Sequence, residues 1–336
     1  MRDLYNLHNV FNNGKGSKKL NNRGKSFGYQ VLGFGAGAPG VGTFLPNQKG
    51  IFVLGDPGGQ ISNLISNTGV VASDTAIVAF ARNGTAGASY GEDKALIGYG
   101  HKSGAYRNIS NLISNTGVVA ADVTIAAGTA RYNLGAATYG GDKAIFGYGM
   151  VYPTDLSMTN LVTNVGVVGA DVTGVGTART AIAATGYGPN RQTMLFGYGN
   201  INTGTYVSMT NLVSNTGVVA TDTTGVGTIR HGLGANTYGE DKALFGYGTN
   251  GSNLSMTNLV SSVGVVATDT VGVGTARHWV SASVYGGDKS IFGGGTLIYP
   301  TAITNLVSNV GVVATDTAGA AGVTARANYS ATGYSV

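Results

Sequence analysis

Apolar residues in this chain fall on consecutive positions instead of alternating with polar ones. Gly117-Val118-Val119-Ala120 and Ala144-Ile145-Phe146-Gly147 are typical. Runs of this kind predict short strands covered on both faces. No segment keeps apolar residues at helical spacing over the roughly ten positions a helix needs. Gly, Val, Ile and Thr dominate, a composition that favours strands and tight turns over helix. In the fourth of the repeats described next, the pattern predicts strands near 233–238, 242–248, 214–220 and 224–230.

The pattern repeats. Six copies of one unit, about 48 residues apart, fill the chain after residue 48. Each carries an Asn-Leu pair, at Asn63, Asn111, Asn160, Asn211, Asn258 and Asn305. An Asp stands eleven residues beyond each Asn, from Asp74 to Asp316. An Arg follows at Arg82, Arg131, Arg179, Arg230, Arg277 and Arg326, and eight residues after each Arg comes a Tyr, from Tyr90 to Tyr334. The Asn-to-Asp and Arg-to-Tyr spacings never change, which predicts hairpins of fixed register.

The ends are broken in complementary ways. Interior copies run from the Tyr into a stretch such as Gly140–Gly149, which the sixth copy lacks and the first copy, at Lys49–Gly55, begins with. An open solenoid needs only polar caps at its ends. A circle of sheets needs terminal strands that pair, leaving no free edge. The expected fold is therefore all-β: a six-bladed β-propeller closed by pairing of the N- and C-terminal strands. It spans 49–336 and is preceded by an extended N-terminal arm, 1–48. An open parallel β-solenoid is the other reading of the period, although its coils are usually shorter. Close packing towards the axis accounts for Gly, Ala and Val, with Phe146, Phe196, Phe245 and Phe292 in the wider space outside.

The unit resembles a kelch-type propeller blade. Ile291-Phe292-Gly293-Gly294 is similar to that family's diglycine strand, and Thr-Ala-Arg at 129–131, 177–179 and 275–277 is similar to the run that leads into it. The family's Trp is missing from the units, and the sole Trp, Trp279, sits just after Arg277. The near-identical Thr/Asn/Gly/Val-rich copies also resemble repeat proteins of tailed-bacteriophage virions. The first resemblance implies architecture more than activity; the second implies a virion component.

Charge separates the two parts. Arg2, Lys15, Lys18, Lys19, Arg23 and Lys25 face only Asp3 in the arm, whereas the remainder holds fourteen basic and fourteen acidic residues. The whole excess of +5 lies in the arm. Residues 11–27 lack apolar residues for a core of their own and are expected to order only against a partner. A basic arm beside a neutral body gives no continuous phosphate track, which argues against nucleic acid. The polar N-terminal residues Arg2, Asp3, Asn6, His8 and Asn9 interrupt any apolar run of signal-peptide length, and no membrane span is expected. With no cysteine, disulfides and thiolate metal sites are excluded.

Little else carries chemistry. Gly35-Ala36-Gly37-Ala38-Pro39-Gly40 satisfies the dinucleotide fingerprint, but Pro39 and Pro46 deny it the helix on which the pyrophosphate would rest. His8, His101, His231 and His278 are not at ligand spacing, and His231 and His278 read as surface positions. A circle of Asp and Arg round a central channel would suit a cation. The turn-forming contexts argue instead that each Asp bonds its own backbone and pairs with the Arg that follows it. No catalytic residue, cofactor or metal is therefore expected. The reading is a non-enzymatic structural protein of a tailed-phage virion, in the tail or decorating the head, anchored through the arm to other virion proteins. The alternative is a receptor- or glycan-binding module, in which the loop residues Tyr106, Tyr152, Tyr206 and Tyr299 stack on sugar rings.

Overall fold

A computed structural model describes residues 46–57, 59–202 and 204–335. The arm positions Arg2, Lys15, Lys18, Lys19, Arg23 and Lys25, and the Gly35–Gly40 motif, lie outside the described residues.

The expected all-β class is what the body of the protein has: small antiparallel sheets, with one 3-10 turn at Pro189–Arg191. In the first sheet, Ser330–Tyr334 is followed by Lys49–Val53, Ile61–Ile65 and Thr75–Ala76. The second sheet has Ala86–Tyr90, Lys94–Gly98, Ile109–Ile113 and Val123–Thr124. The third has Gly135–Tyr139, Lys143–Gly147 and Thr159–Val162; the fourth has Ala183–Tyr187, Thr193–Ile201 and Thr205–Val213. The fifth has Gly234–Tyr238, Lys242–Gly246 and Thr257–Val260; the sixth has Ser281–Tyr285, Lys289–Gly293 and Thr304–Val307. Two short ribbons, His101–Lys102 with Ala105–Tyr106 and Met150–Val151 with Thr154–Asp155, project from the second and third sheets.

The termini meet as the broken repeats require. Lys49 stands opposite Tyr334, Ile51 opposite Thr332 and Val53 opposite Ser330. Attachment begins slightly before residue 49, because the Asn47 amide donates to Ser89 Oγ at 2.6 Å and the Gln48 N–H to Ser335 O at 3.0 Å.

The first strand of each sheet packs against the first strand of the next, and that of the sixth packs against that of the first. Backbone hydrogen bonds run the same way. Gly84 donates to Asn328, Asn328 to Trp279, Trp279 to Gly232, Gly232 to Ala181, Ala181 to Asn133, and Asn133 back to Gly84, at 2.6–3.1 Å. All six residues hold φ between 51° and 62°, the left-handed region. A second circuit joins the hairpin tips: Gly91 to Asp142, Gly140 to Gln192, Gly188 to Asp241, Gly239 to Asp288, Gly286 to Gln48 and Ser335 to Asp93.

Two of the expected strands are not strands. In the fourth repeat 233–238 and 242–248 are found at Gly234–Tyr238 and Lys242–Gly246, but 214–220 is a turn and 224–230 is irregular. The third strand is the Asn-Leu segment itself. Turn chemistry overrides β-propensity here: Ser214 Oγ accepts the Thr216 and Val218 N–H groups, and Gly217 takes φ 83°. The Gly-Val-Val run is therefore not covered on both faces, and Val118 and Val218 are each 66 % exposed. The turn has a packing task. A Cβ on Gly217 would strike Leu161 and Tyr139 of the third sheet, and Gly117, Gly166, Gly264, Gly311 and Gly69 lie likewise against the Tyr of the sheet before.

Apolar clusters fill the spaces between neighbouring sheets. Phe146, Phe196, Phe245 and Phe292 are buried in the second strands, each against a glycine of the preceding sheet. A Cβ on Gly147, for example, would lie 2.5 Å from Phe196. Where the first sheet has Val53 at that position, the second sheet has Ile97 in place of Phe, and the two share one cluster. A second compensation occurs at Gly294. Tyr99, Tyr148, Tyr198 and Tyr247, each two residues after the Ile or Phe of a second strand, stand edge-on to the next Phe at 5.0–5.2 Å. The sixth sheet lacks this ring, and Tyr329 reaches across to Phe52 at 5.2 Å instead.

Candidate functional site: an aromatic loop face

The repeated polar residues form one arrangement. Arg179 Nε donates to Tyr198 O at 2.9 Å, Nη1 to Thr177 O at 3.0 Å and Nη2 to Asn211 Oδ1 at 2.5 Å. Asn211 Nδ2 donates to Asp222 Oδ1 at 2.9 Å, and Asp222 accepts the Thr177 N–H and hydroxyl. The guanidinium lies 4.4 Å from the centre of the Tyr148 ring, on the sheet before. The same set recurs at Arg131, Arg230 and Arg277, each over a Tyr ring, and at Arg82 the bonds to Asn111 and Asp122 recur with Phe80 in place of the Thr. Its sixth instance draws Arg326 and Thr324 from the C-terminal end, and Asn63 and Asp74 from the N-terminal end.

This corrects the expected pairing. Each Asp accepts from a Thr or Phe N–H of a distant segment, not from its own turn, and its guanidinium comes from the preceding repeat: Arg82 with Asp122, Arg131 with Asp171, Arg179 with Asp222. The sequence unit is out of phase with the sheet, since a new sheet starts just after each Arg. Partial burial pushes Asp74, Asp171, Asp222, Asp269 and Asp316 up. Hydrogen bonds from Thr and Asn and the nearby guanidinium outweigh it and hold them below the usual carboxylate range. Burial lowers the Arg131, Arg179 and Arg230 guanidinium groups, and brings Arg82 to about 10, still charged at neutral pH.

None of these residues lines the cavity between the first strands. The first strands enclose a cavity of about 140 Å³ lined by small and hydroxyl residues, among them Ser89, Thr138, Thr185, Thr237 and Thr332, with Arg191 as its charged member. The suggested cation circle is thus not built, and among the described residues no three His, Asp or Glu cluster as metal ligands.

Side chains that differ from copy to copy gather on the face around the circuit of Gly84, Asn133, Ala181, Gly232, Trp279 and Asn328. Tyr106 stacks on Tyr132 at 5.5 Å, with His101 tilted against both. Tyr206 stacks on His231 at 4.8 Å, and His231 meets Trp279 edge-on at 5.6 Å. His278 holds Asn253 Oδ1 at 2.7 Å beside the same indole. Of the four loop tyrosines, Tyr106 and Tyr206 are thus built into aromatic groups. Tyr152 is 65 % exposed and tied to the first group through its N–H on the Tyr106 hydroxyl. Tyr299 is 78 % exposed and does not join them.

His231 and His278 are half-buried, so the surface assignment is corrected. Burial first, and then the charge of His278, brings His231 down to about 4. Unfolded, it would titrate near 6.5. Between those values the unfolded chain binds a proton that the folded one does not, so stability present above about pH 6.5 is lost as pH falls towards 4. His231→Phe is expected to flatten the fall in Tm between about pH 7 and about pH 4.5. An unchanged slope would mean that His231 does not carry it.

Sequence reasoning passed over Trp279 as the site's centre. The available signal was positional: two residues after the repeat Arg, other copies have Gly84, Asn133, Ala181, Gly232 and Asn328. No protein-family model matches the chain, and no curated protein matches its sequence.

Proposed function

We propose that the six sheets are the blades of a closed, kelch-like β-propeller, and that this propeller is a non-enzymatic structural component of a tailed-phage virion. In this reading residues 1–48 hold it to other virion proteins, and the aromatic loop face is turned outward. Support for closure comes from the hydrogen-bond circuit that returns to Gly84, from the hairpin-tip bonds that return to the hairpin of Gly91 and Asp93, and from the pairing of Lys49–Val53 with Ser330–Tyr334. Among the described residues no helix is long and apolar enough to cross a membrane.

The observation that carries the functional reading is how the repeat spends its polar residues. In each of the six sheets an Arg donates to an Asn and that Asn to an Asp, and the Asp accepts from a Thr in five sets and from the Phe80 N–H in the other. The repeated chemistry thus stiffens a scaffold, and copy-specific side chains are left to the loops. A rigid disc with variable loops suits display. The test is removal of residues 1–30. The truncated protein is expected to stay folded and monomeric by size-exclusion chromatography and circular dichroism, yet to be missing from purified particles. Normal incorporation would show that the arm is not the anchor.

A further inference from the structure

We propose that Trp279 and its neighbours form a binding site for a neutral saccharide. The inference takes from the display reading only that the loop face is accessible.

Trp279 occupies a position made for small residues. The other five members of the circuit are Gly, Asn or Ala, and the left-handed backbone they share, φ 53° at Trp279, is sterically unfavourable for a bulky side chain. Strain of this kind persists where surrounding structure enforces it, and it clusters at ligand sites. Here the N–H of Trp279 is fixed on Gly232 O at 2.6 Å. The indole lies over Gly232, where a Cβ would come within 3.4 Å of the ring, and His231, backed by Tyr206, meets it edge-on. The residue is nevertheless only half-buried. A flat apolar surface is thus held rigidly at one position of a backbone circuit whose other five members are small.

Polar groups stand beside it. Asn133 and Asn328, joined by a 3.0 Å side-chain hydrogen bond, and Trp279 rim a recess of about 80 Å³. That volume admits a hydroxyl or hydroxymethyl group, or a water, but not a sugar ring. Its lining includes Thr85 and Ser281 and no charged side chain. A pyranose laid on the indole would cover the ring with its C–H face and send one hydroxyl group towards the side-chain amides. Neutral, amphipathic surroundings favour an uncharged polyol over a phosphate- or carboxylate-bearing ligand, which would need a cation here.

Trp279 is the only tryptophan of the chain, so tryptophan emission, excited at the red edge where the eighteen tyrosines do not absorb, reports on this site alone. The full chain would be titrated separately with glucose, galactose, mannose and N-acetylglucosamine trisaccharides, with adenosine and uridine as flat ligands of another class. At least one trisaccharide is expected to shift and quench the emission saturably, with Kd in the micromolar to millimolar range. By calorimetry, Trp279→Ala should weaken that binding roughly tenfold or more, and Trp279→Phe should recover part of it. Three results would overturn the proposal: no saturable response to any trisaccharide, a response to the nucleosides only, or undiminished binding by folded Trp279→Ala. Particle incorporation separates this outcome from the display reading. Trp279→Ala is expected to enter particles normally, and its exclusion would assign Trp279 to assembly instead.

Discussion

Deleting Ser330–Val336 is expected to abolish cooperative unfolding of the whole body, not merely to fray one edge. The lost strand pairs with all of Lys49–Val53. It also supplies Tyr334, which is 1 % exposed and lies under the Gly117 turn. Ser283 Oγ loses Thr332 O, Ser89 Oγ loses Gly333 O, and Asp93 O loses the Ser335 N–H. Ile51, Phe52 and Val53, now at most 3 % exposed, would border an open sheet edge. At about 1.5–3 kcal/mol for each large apolar side chain uncovered, the loss is about 5 kcal/mol or more, comparable with the whole stability of a typical domain. Urea unfolding followed by circular dichroism would show no sigmoidal transition, and the open edge would promote association on size exclusion. A peptide of residues 330–336 added in trans is expected to restore part of the transition. A deletion variant that unfolds at the wild-type midpoint would refute the account.

The second large effect is expected at Arg179. Its replacement by Ala leaves Asn211 Oδ1 and Tyr198 O without their guanidinium donor in a buried site, and uncovers the Tyr148 ring. Removing one partner of a buried charge-assisted network costs about 3–5 kcal/mol, mostly because the remaining polar groups stay buried and unmatched. Arg179→Lys should recover little of this, since an ammonium cannot make three bonds in a planar fork. Asp222→Asn should cost less, because that carboxylate side chain is 29 % exposed and water can replace part of its bonding. Denaturant midpoints of the three variants give the order. A cost at Arg179 no greater than at Asp222 would contradict the arrangement.

How far the chain could be read beforehand varied with range. The second strands, such as Lys242–Gly246, were legible because their apolar residues are consecutive and their bounding glycines are regular. Terminal pairing was legible because two partial units add up to one. The third strands were misplaced. Thr257–Val260 is only four residues long and has an Asn within it, whereas the neighbouring Gly-Val-Val run looks strand-like but is pulled into a turn by Ser261. Arg partners were misassigned because proximity in sequence suggested the Asp eight residues before. Chain direction instead carries each Arg into the following sheet.

The amino-acid sequence by itself determined the all-β class, the six-fold period, and the complementarity of the two ends. All three follow from composition and from the spacing of residue types along the chain, which can be read without knowing what packs on what. Only the tertiary structure decided that Arg179 meets Asn211 and Asp222, that Tyr329 stands in for the ring missing at Gly294, and that Trp279 is held beside His231 over Gly232. Each of those depends on which sheet lies against which. That choice is set by packing volume and hydrogen-bond satisfaction across tens to hundreds of residues, and a local pattern does not encode it.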